Sequence, residues 1–263
     1  MYIYAFGAVI LLVNLFFGTA YLLQFLLPKQ TSVHCFFEVS NEVVSSLEAI
    51  AAAAVGLATV VETRHSVLTA QFWPVNAYVY IWIGYCWYDL WSMYYCHCLK
   101  YDKQLDGKSF ASKLKSYLFG SYFSFIIHHI FFGWVVLPLY LIVSNNRGHF
   151  FCGCLMLDSL SNPFVNLRTV LVKLNLKETR LYRINFVVMT AAFFVCKICL
   201  LPFMFQSYAV TQDVSFWSVP LRLPKVCVVG STAMLLLYLY WFIPMTRGCV
   251  KYLVPSKQSI KTD

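Results

Sequence analysis

The chain has 263 residues and the composition of an integral membrane protein. Hydrophobic residues make up 60% of it, charged residues only 12%, and the mean hydropathy is +0.67. A soluble domain of this composition would lack the polar side chains needed to cover its surface, which excludes the class of soluble globular proteins. The net charge of +9 does not indicate nucleic-acid binding, because the sequence has no basic soluble module to carry it.

Seven apolar stretches are long enough to cross a bilayer as helices, which takes about 20 residues each. None alternates as barrel strands do, so the sequence predicts an all-α polytopic membrane helix bundle with seven transmembrane helices, or six as the alternative count. The first stretch has no basic n-region, so we expect it to be retained rather than cleaved. The predicted spans run from Tyr2 to Leu27, Val43 to Val61, Val75 to Cys98, Tyr117 to Val143, Gly148 to Val172, Ile184 to Phe205 and Val226 to Pro244.

The distribution of basic residues predicts the orientation of these spans. If all seven cross, most of the 20 Lys and Arg lie in the first, third and fifth loops, in the C-terminal tail and at the Arg168 end of span five. The opposite side holds only Arg64, Arg147, Arg222 and Lys225. By the positive-inside rule we expect a cytosolic C-terminus, and anionic lipid headgroups as partners of the basic loops.

Ionisable residues inside the predicted spans are few, and each marks a functional site by default because it is costly to keep there. His128 and His129 are adjacent near the middle of span four, and Asp89 and Asp158 lie in spans three and five. With a rise of about 1.5 Å per residue, these groups lie about 12 to 21 Å from the cytosolic ends of their helices. We therefore expect them to converge into one buried site.

A proline follows a polar helix face in the fifth predicted span. Asp158, Ser161 and Asn162 lie at positions i, i+3 and i+4, and so share one face. Pro163 frees the carbonyl four residues back, at Ser159. We expect a kink next to Asp158 that widens a cavity there.

The histidine pair predicts proton or acyl transfer. A neutral imidazole can take a proton from an amine or hydroxyl nucleophile, or accept an acyl group itself, and a carboxylate on its other nitrogen fixes the tautomer. No nucleophile elbow, H-E-x-x-H or glycine-rich phosphate loop occurs in the sequence. The alternative interpretation is that the pair only forms hydrogen bonds between helices.

Ten cysteines raise the question of a metal site. Cys96 and Cys98 flank His97, and Cys152 and Cys154 form a second C-x-C. Structural zinc usually uses C-x₂₋₄-C spacing on a folded loop, whereas these residues lie near the ends of apolar helices. We predict no metal site and interpret most of the thiols as apolar packing residues.

Four segments of the sequence follow a pattern found in a known family: Tyr88 to Cys98, Ile127-His128-His129, Phe150 to Cys154 and Leu157 to Phe164. Together they resemble a TLC domain, the multi-span module shared with ceramide synthases. A later run, from Leu200 to Tyr208, is similar to the TLC domain-containing protein 3 subfamily. This resemblance implies a first transmembrane helix and loop over 1–39, a TLC domain over 40–250 and a cytosolic tail over 251–263.

The resemblance implies an endoplasmic-reticulum membrane protein of lipid metabolism. Ceramide synthases join a fatty acyl-CoA to a sphingoid amine, so the implied partners are membrane lipids, acyl-CoA as co-substrate and a sphingoid base, with no bound cofactor. Their catalytic positions would match His128, His129, Asp89 and Asp158. The basic loop after span three would suit the phosphates of the acyl-CoA, so Lys113 and Lys115 are predicted to bind substrate, together with Asn162.

The sequence leaves two main functional classes open, and a third is less favoured. Ceramide synthases carry a His-Asp and a second Asp after the histidine pair, whereas this chain has Leu157-Asp158 and then Asn162. The first hypothesis is a ceramide-synthase-like acyltransferase, and the second is a non-enzymatic lipid-binding TLC protein that regulates membrane composition or assembly. A transporter that relays protons is the third, although neither half of the chain repeats the other.

Overall fold

The computed structural model describes residues 2–28, 31–120 and 122–253. These residues are mostly helical and include no strand, which confirms the all-α fold. Residues 254–263 of the predicted cytosolic tail lie outside the described residues. The helices are α1 (Tyr2–Leu26), α2 (Val33–Thr63), α3 (Trp73–Lys100), α4 (Asp102–Leu105), α5 (Phe110–Leu118), α6 (Phe123–Phe131), α7 (Leu137–Val143), α8 (His149–Leu157), α9 (Asn162–Lys173), α10 (Arg180–Phe193), α11 (Leu200–Thr211), α12 (Val219–Arg222) and α13 (Lys225–Leu253).

Five stretches of the described helices are long and apolar enough to cross a membrane, as expected of a multi-pass membrane protein. They correspond to the first, second, fourth, sixth and seventh predicted spans, so the predicted count of seven is not confirmed. Helix α3 has 28 residues, but its many Tyr and Trp side chains make it less apolar than these five. The five stretches are Ile3–Leu26, Val33–Thr63, Phe123–Val143, Arg180–Thr211 and Lys225–Val250.

The start predicted for the fourth span, at Tyr117, is wrong. The structure begins this stretch at Phe123, because the residues before it form the separate helix α5. The Ser109 hydroxyl caps α5 by accepting a hydrogen bond from the Ser112 amide at 3.4 Å. The helix ends at Leu118, where the backbone of the following Phe119 leaves helical geometry (φ −103°, ψ 16°), and this break separates α5 from the apolar stretch.

The chain divides into two compact units, Met1–Leu157 and Asp158–Asp263, called the first and second unit below. In the first unit, α2 packs closely on α8 through small residues. A Cβ atom on Gly56 would lie 2.7 Å from the carbonyl oxygen of Gly153, and one on Gly153 would lie 2.8 Å from Cβ of Thr59. Small residues permit this close approach of helices in a membrane protein, where packing rather than hydrophobic burial holds helices together.

Aromatic side chains join α1, α2 and α3 in the same unit. The Phe16 ring is fully buried, with its centroid 5.4 Å from Phe37 and 6.2 Å from Tyr88. Aromatic pairs at these distances prefer tilted or edge-to-face arrangements, as found here. Because Tyr88 precedes Asp89 in α3, this cluster also holds the part of α3 that carries Asp89 against α1 and α2.

The second unit has a core of its own, formed by α9, α10 and α13. Phe186 lies at its centre, and a Cβ atom on Gly248 would lie 2.8 Å from that ring. Helix α13 can therefore approach α10 only because residue 248 has no side chain. The buried members of this core are Leu171, Tyr182, Phe186, Met189 and Cys249.

Three helices lose regular α geometry shortly before a proline. A π-helical segment, Phe132–Val136, precedes Pro138, and another, Phe194–Ile198, precedes Pro202. A 3-10 segment, Asp158–Ser161, precedes Pro163, where the sequence predicts a kink. Proline cannot donate a backbone hydrogen bond and clashes with the carbonyl four residues back, so the preceding turn adjusts. The cavity predicted beside Asp158 stays a prediction.

We expect the close packing of α2 on α8 to make the first unit sensitive to one methyl group at Gly56. The Gly56→Ala methyl would overlap backbone atoms that cannot rotate away, costing about 1–3 kcal/mol of unfolding free energy. Thermal unfolding of the purified protein in detergent micelles measures the loss. Gly18→Ala is the matched control, because a Cβ atom there meets nothing within 4 Å. Equal unfolding temperatures for the two variants would contradict the packing account.

Candidate functional site

Asp89 of α3 and His129 of α6 form a hydrogen-bonded pair inside the first unit. Nε2 of His129 lies 2.9 Å from Oδ2 of Asp89, and the two side chains are only 13% and 7% exposed. The third and fourth predicted spans therefore do bring an acid and a histidine together. This contact defines the candidate site, which we call the Asp89–His129 dyad.

The dyad fixes which nitrogen of His129 can act as a base. A carboxylate only accepts hydrogen bonds, so Nε2 of a neutral His129 carries the proton and Nδ1 carries the lone pair. Nδ1 is buried and has no hydrogen-bond partner among the described residues. Because a buried polar atom without a partner is costly, Nδ1 is the atom at which this site can take up a proton or another electrophile.

Asn41 of α2 holds the other oxygen of Asp89. Its amide Nδ2 donates to Oδ1 of Asp89 at 3.2 Å. Its carbonyl oxygen accepts hydrogen bonds from the Ser92 hydroxyl at 2.6 Å and the Tyr88 hydroxyl at 3.1 Å. Asn41 is not among the predicted site residues, because it lies two positions before the predicted start of span two.

The polar face of α2 that includes Asn41 continues along this helix and contacts α3. The Ser45 and Tyr85 hydroxyls are 2.8 Å apart, and the Tyr78 hydroxyl donates to Oε1 of Glu48 at 3.2 Å. The Tyr85 ring in turn lies 5.9 Å from the His129 ring, edge to face. The spacing of residues 41, 45 and 48 at i, i+4 and i+7 is the signal in the sequence that could have identified this face.

His128 points away from its neighbour. Its ring centroid lies 5.5 Å from that of His129 and 4.7 Å from that of Phe132. Phe132 begins the π-helical segment, and its amide donates to the carbonyl oxygens of both histidines. The structure thus supports different environments for the two rings, as adjacent helical positions about 100° apart require.

A glycine allows the histidine helix to approach α3. A Cβ atom on Gly133 would lie 2.7 Å from Cβ of Cys86, three residues before Asp89. Helix α6 and the π-helical segment can therefore pack directly on α3 at this level. This contact brings His129 within hydrogen-bond distance of Asp89.

Asp158 belongs to the second unit, where it forms a buried cluster with Lys197 and Tyr238. Lys197 Nζ is paired with one carboxylate oxygen, and the Tyr238 hydroxyl donates to the other. The Lys197 ammonium also lies 4.9 Å from the Tyr238 ring centroid and 5.6 Å from that of Phe193. All three members of the Asp158–Lys197–Tyr238 cluster are at least nine-tenths buried. The sequence identifies Lys197 as a cation within the sixth predicted span, but it does not identify Asp158 and Tyr238 as its partners.

The predicted substrate-binding residues lie on exposed or half-buried surfaces. On α5, Lys113 is half-buried and Lys115 is exposed, and Asn162 is half-buried at the start of α9. Helix α5 is fixed to α3 by the Tyr117 hydroxyl, which donates to the carbonyl of Leu90 at 3.1 Å. Burial raises the pKa of Tyr117, and the Asp89 carboxylate adds to the rise, so Tyr117 remains a hydroxyl donor. The substrate-binding role of these residues stays a prediction.

Six of the ten cysteines are buried, three are half-buried and Cys227 is exposed. Cys96, Cys152 and Cys154 are buried, and none of the ten cysteines forms a disulfide. Within residues 2–28, 31–120 and 122–253, no group of three or more His, Cys, Asp or Glu side chains is placed to hold a metal ion.

Comparison with known families gives one match. A sequence model of the family described as the TLC domain matches residues 38–247 of the chain. The matched segment contains Asn41, Asp89 and His129, and also the Asp158–Lys197–Tyr238 cluster. No solved structure matches the chain.

We predict that removing one charge from the Asp158–Lys197–Tyr238 cluster destabilises the protein more than removing both. Lys197→Met leaves the Asp158 carboxylate buried without its cation, which costs about 3–5 kcal/mol of unfolding free energy. The double variant Lys197→Met with Asp158→Asn removes both charges and should recover most of that loss. Unfolding in detergent micelles by added SDS compares the variants, and a double variant less stable than Lys197→Met would contradict the ion pair.

Proposed function

Because this chain belongs to the TLC domain family, we propose that it is a membrane acyltransferase in which the Asp89–His129 dyad is catalytic. A membrane lipid-related function is what the family supports. The reaction we propose is transfer of a fatty acyl group from acyl-CoA to a sphingoid amine in the endoplasmic-reticulum membrane. One observation carries the proposal: Nε2 of His129 is bound to a carboxylate while its buried Nδ1 is left to react.

The dyad can act as a general base in this reaction. As the neutral amine attacks the thioester carbonyl, Nδ1 of His129 takes its proton and the C–N bond forms. The C–S bond then breaks, and the departing CoA thiolate takes the proton back from the imidazolium. Asp89 stabilises the imidazolium and holds the ring in the required tautomer, as the acid of a Ser-His-Asp triad does.

The same nitrogen can act as a nucleophile instead. Nδ1 would attack the thioester carbonyl, CoA would leave as the thiolate, and the acyl group would be held on His129 until the amine displaces it. The two routes differ in one observable: only the nucleophilic route releases a burst of CoA when no amine is present. Stopped-flow detection of free thiol with acyl-CoA alone distinguishes them.

The substrate class is supported by the resemblance to ceramide synthases and by the charge on α5. Acyl-CoA carries negatively charged phosphates, and Lys113 and Lys115 supply positive charges on α5 of the first unit. The run from Leu200 to Tyr208 supports a place in the TLC domain-containing protein 3 subfamily. A cytosolic C-terminus, which the distribution of basic residues supports, would put α5 on the side where acyl-CoA is available.

A second function is favoured by a different observation. Where ceramide synthases have a further acid, this chain has Asn162, and both oxygens of Asp158 already have partners. A protein with the dyad but without the remaining acids could bind an amine or hydroxyl headgroup without reaction. This alternative is a lipid-binding TLC protein that regulates membrane composition or assembly.

The acyltransferase proposal is tested by two substitutions in the dyad. We expect His129→Ala to abolish ceramide formation, and Asp89→Asn to reduce kcat by about 10²- to 10⁴-fold because it favours the wrong tautomer. Microsomes that contain equal amounts of each protein are given labelled acyl-CoA and sphinganine, and labelled ceramide is measured. His65→Ala is the matched control, because His65 is exposed between α2 and α3.

The outcome separates the two functions. Equal ceramide output from wild type and His129→Ala would remove the acyltransferase proposal. If sphinganine binding were also lost in His129→Ala, without any turnover in the wild type, the lipid-binding function would be supported.

We expect the basic face of α5 to act on acyl-CoA binding rather than on the reaction itself. Lys113→Ala with Lys115→Ala should raise KM for acyl-CoA about three- to thirtyfold with little change in kcat, because each exposed charge contributes up to about 1 kcal/mol. Lys177→Ala with Arg180→Ala removes the same charge from the second unit and is the control. A fall in kcat at unchanged KM would contradict this role.

A further inference from the structure

Asn41 holds the Asp89 carboxylate on the side opposite to the histidine. Oδ1 of Asp89 accepts from the Asn41 amide at 3.2 Å, and Oδ2 faces Nε2 of His129 at 2.9 Å. Both oxygens of the acid therefore receive an N–H donor. One donor on each oxygen holds the carboxylate in a single orientation.

The orientation of the Asn41 amide is itself determined. Its oxygen lies 2.6 Å from the Ser92 hydroxyl and 3.1 Å from the Tyr88 hydroxyl, and both hydroxyls can donate. The flipped amide would place its oxygen against the Asp89 carboxylate, with two acceptors in contact and no proton between them. Only the orientation with Nδ2 towards Asp89 gives Asn41 a hydrogen bond to the Asp89 carboxylate and to both hydroxyls.

We propose that Asn41 is a positioning residue for the Asp89–His129 dyad. It holds the Asp89 carboxylate directed at Nε2 of His129, so that Nδ1 remains the reactive nitrogen. Asn41 acts through Asp89 and does not itself touch the reacting atoms. This inference rests on the proposed acyltransferase function, since the dyad must perform the proton transfer for its position to matter.

Loss of the Asn41 donor leaves Oδ1 of Asp89 without its N–H partner, so the carboxylate is no longer held towards Nε2 of His129. Of the titratable groups that face the dyad, Tyr88 contacts Asn41 directly and loses its acceptor in a substitution without an oxygen. The others are Glu48 on α2, Tyr85 and Cys86 on α3, Tyr117 on α5 and His128 on α6.

Two substitutions at this position separate the donor from the packing. Asn41→Leu removes both the donor and the acceptor, so we expect kcat to fall about ten- to hundredfold. Asn41→Asp keeps the size and the acceptor for Ser92 and Tyr88, but the introduced carboxyl can donate to Asp89 only while it is protonated. Its activity should therefore fall as the pH rises through a range in which the wild-type rate is constant.

The measurement is ceramide formation as a function of pH in microsomes, normalised to the amount of monodisperse protein recovered in detergent. Asn76→Asp is the matched control, because Asn76 pairs with Asn146 at the other end of α3 and should leave the profile unchanged. If Asn41→Leu does not fold, the comparison of Asn41→Asp with wild type decides alone. A wild-type profile for Asn41→Asp would overturn the positioning role.

The failure of this inference can be told from the failure of the proposed function. If wild type forms ceramide in a His129-dependent way and Asn41→Asp keeps its pH profile, only the role of Asn41 is overturned. If wild type shows no His129-dependent activity, the acyltransferase function is overturned and the positioning role with it.

Discussion

Buried polar groups in an apolar helix bundle must find their partners within the protein, because the surrounding lipid offers none. In the first unit, the oxygens of Asp89 are met by Asn41 and His129. In the second unit, those of Asp158 are met by Lys197 and Tyr238. Nδ1 of His129 is one of four buried side-chain atoms among the described residues that lack a hydrogen-bond partner, and it is the one that the proposed chemistry uses.

The same helices lose regular α geometry close to these polar groups. The π-helical segment before Pro138 begins three residues after His129, and the one before Pro202 contains Lys197. The 3-10 segment before Pro163 begins at Asp158. Irregular backbone in a membrane helix is tolerated where protein surrounds it, and π-helical turns are frequent at functional sites. In all three stretches, the change in helix winding thus lies close both to a proline and to a buried polar side chain.

The helical fold and a similar depth for Asp89 and the histidine pair could be predicted from the sequence, because hydropathy locates the helices and helical rise fixes relative depth. Which histidine pairs with Asp89 could not be predicted. The role of Asn41 could not, since α2 begins at Val33 and the apolar pattern predicts its span only from Val43. The pairing of Asp158 with Lys197 and Tyr238 could not either. These contacts depend on how the helices of the second unit are rotated about their own axes. Helices that are apolar on nearly all sides give no signal in the sequence for that rotation.

The departure of this chain from the ceramide-synthase motif concerns Leu157 and Asn162, neither of which belongs to the dyad. The proton transfer that we propose requires only His129, Asp89 and the donor on Asn41. Asp158 is paired with Lys197 without any substrate, so its charge serves the second unit whether or not a reaction occurs. In the reaction that we propose, the dyad decides whether a proton can be taken from the attacking amine. A chain with the dyad and a changed motif is therefore expected to keep the base that transfer to a sphingoid amine requires.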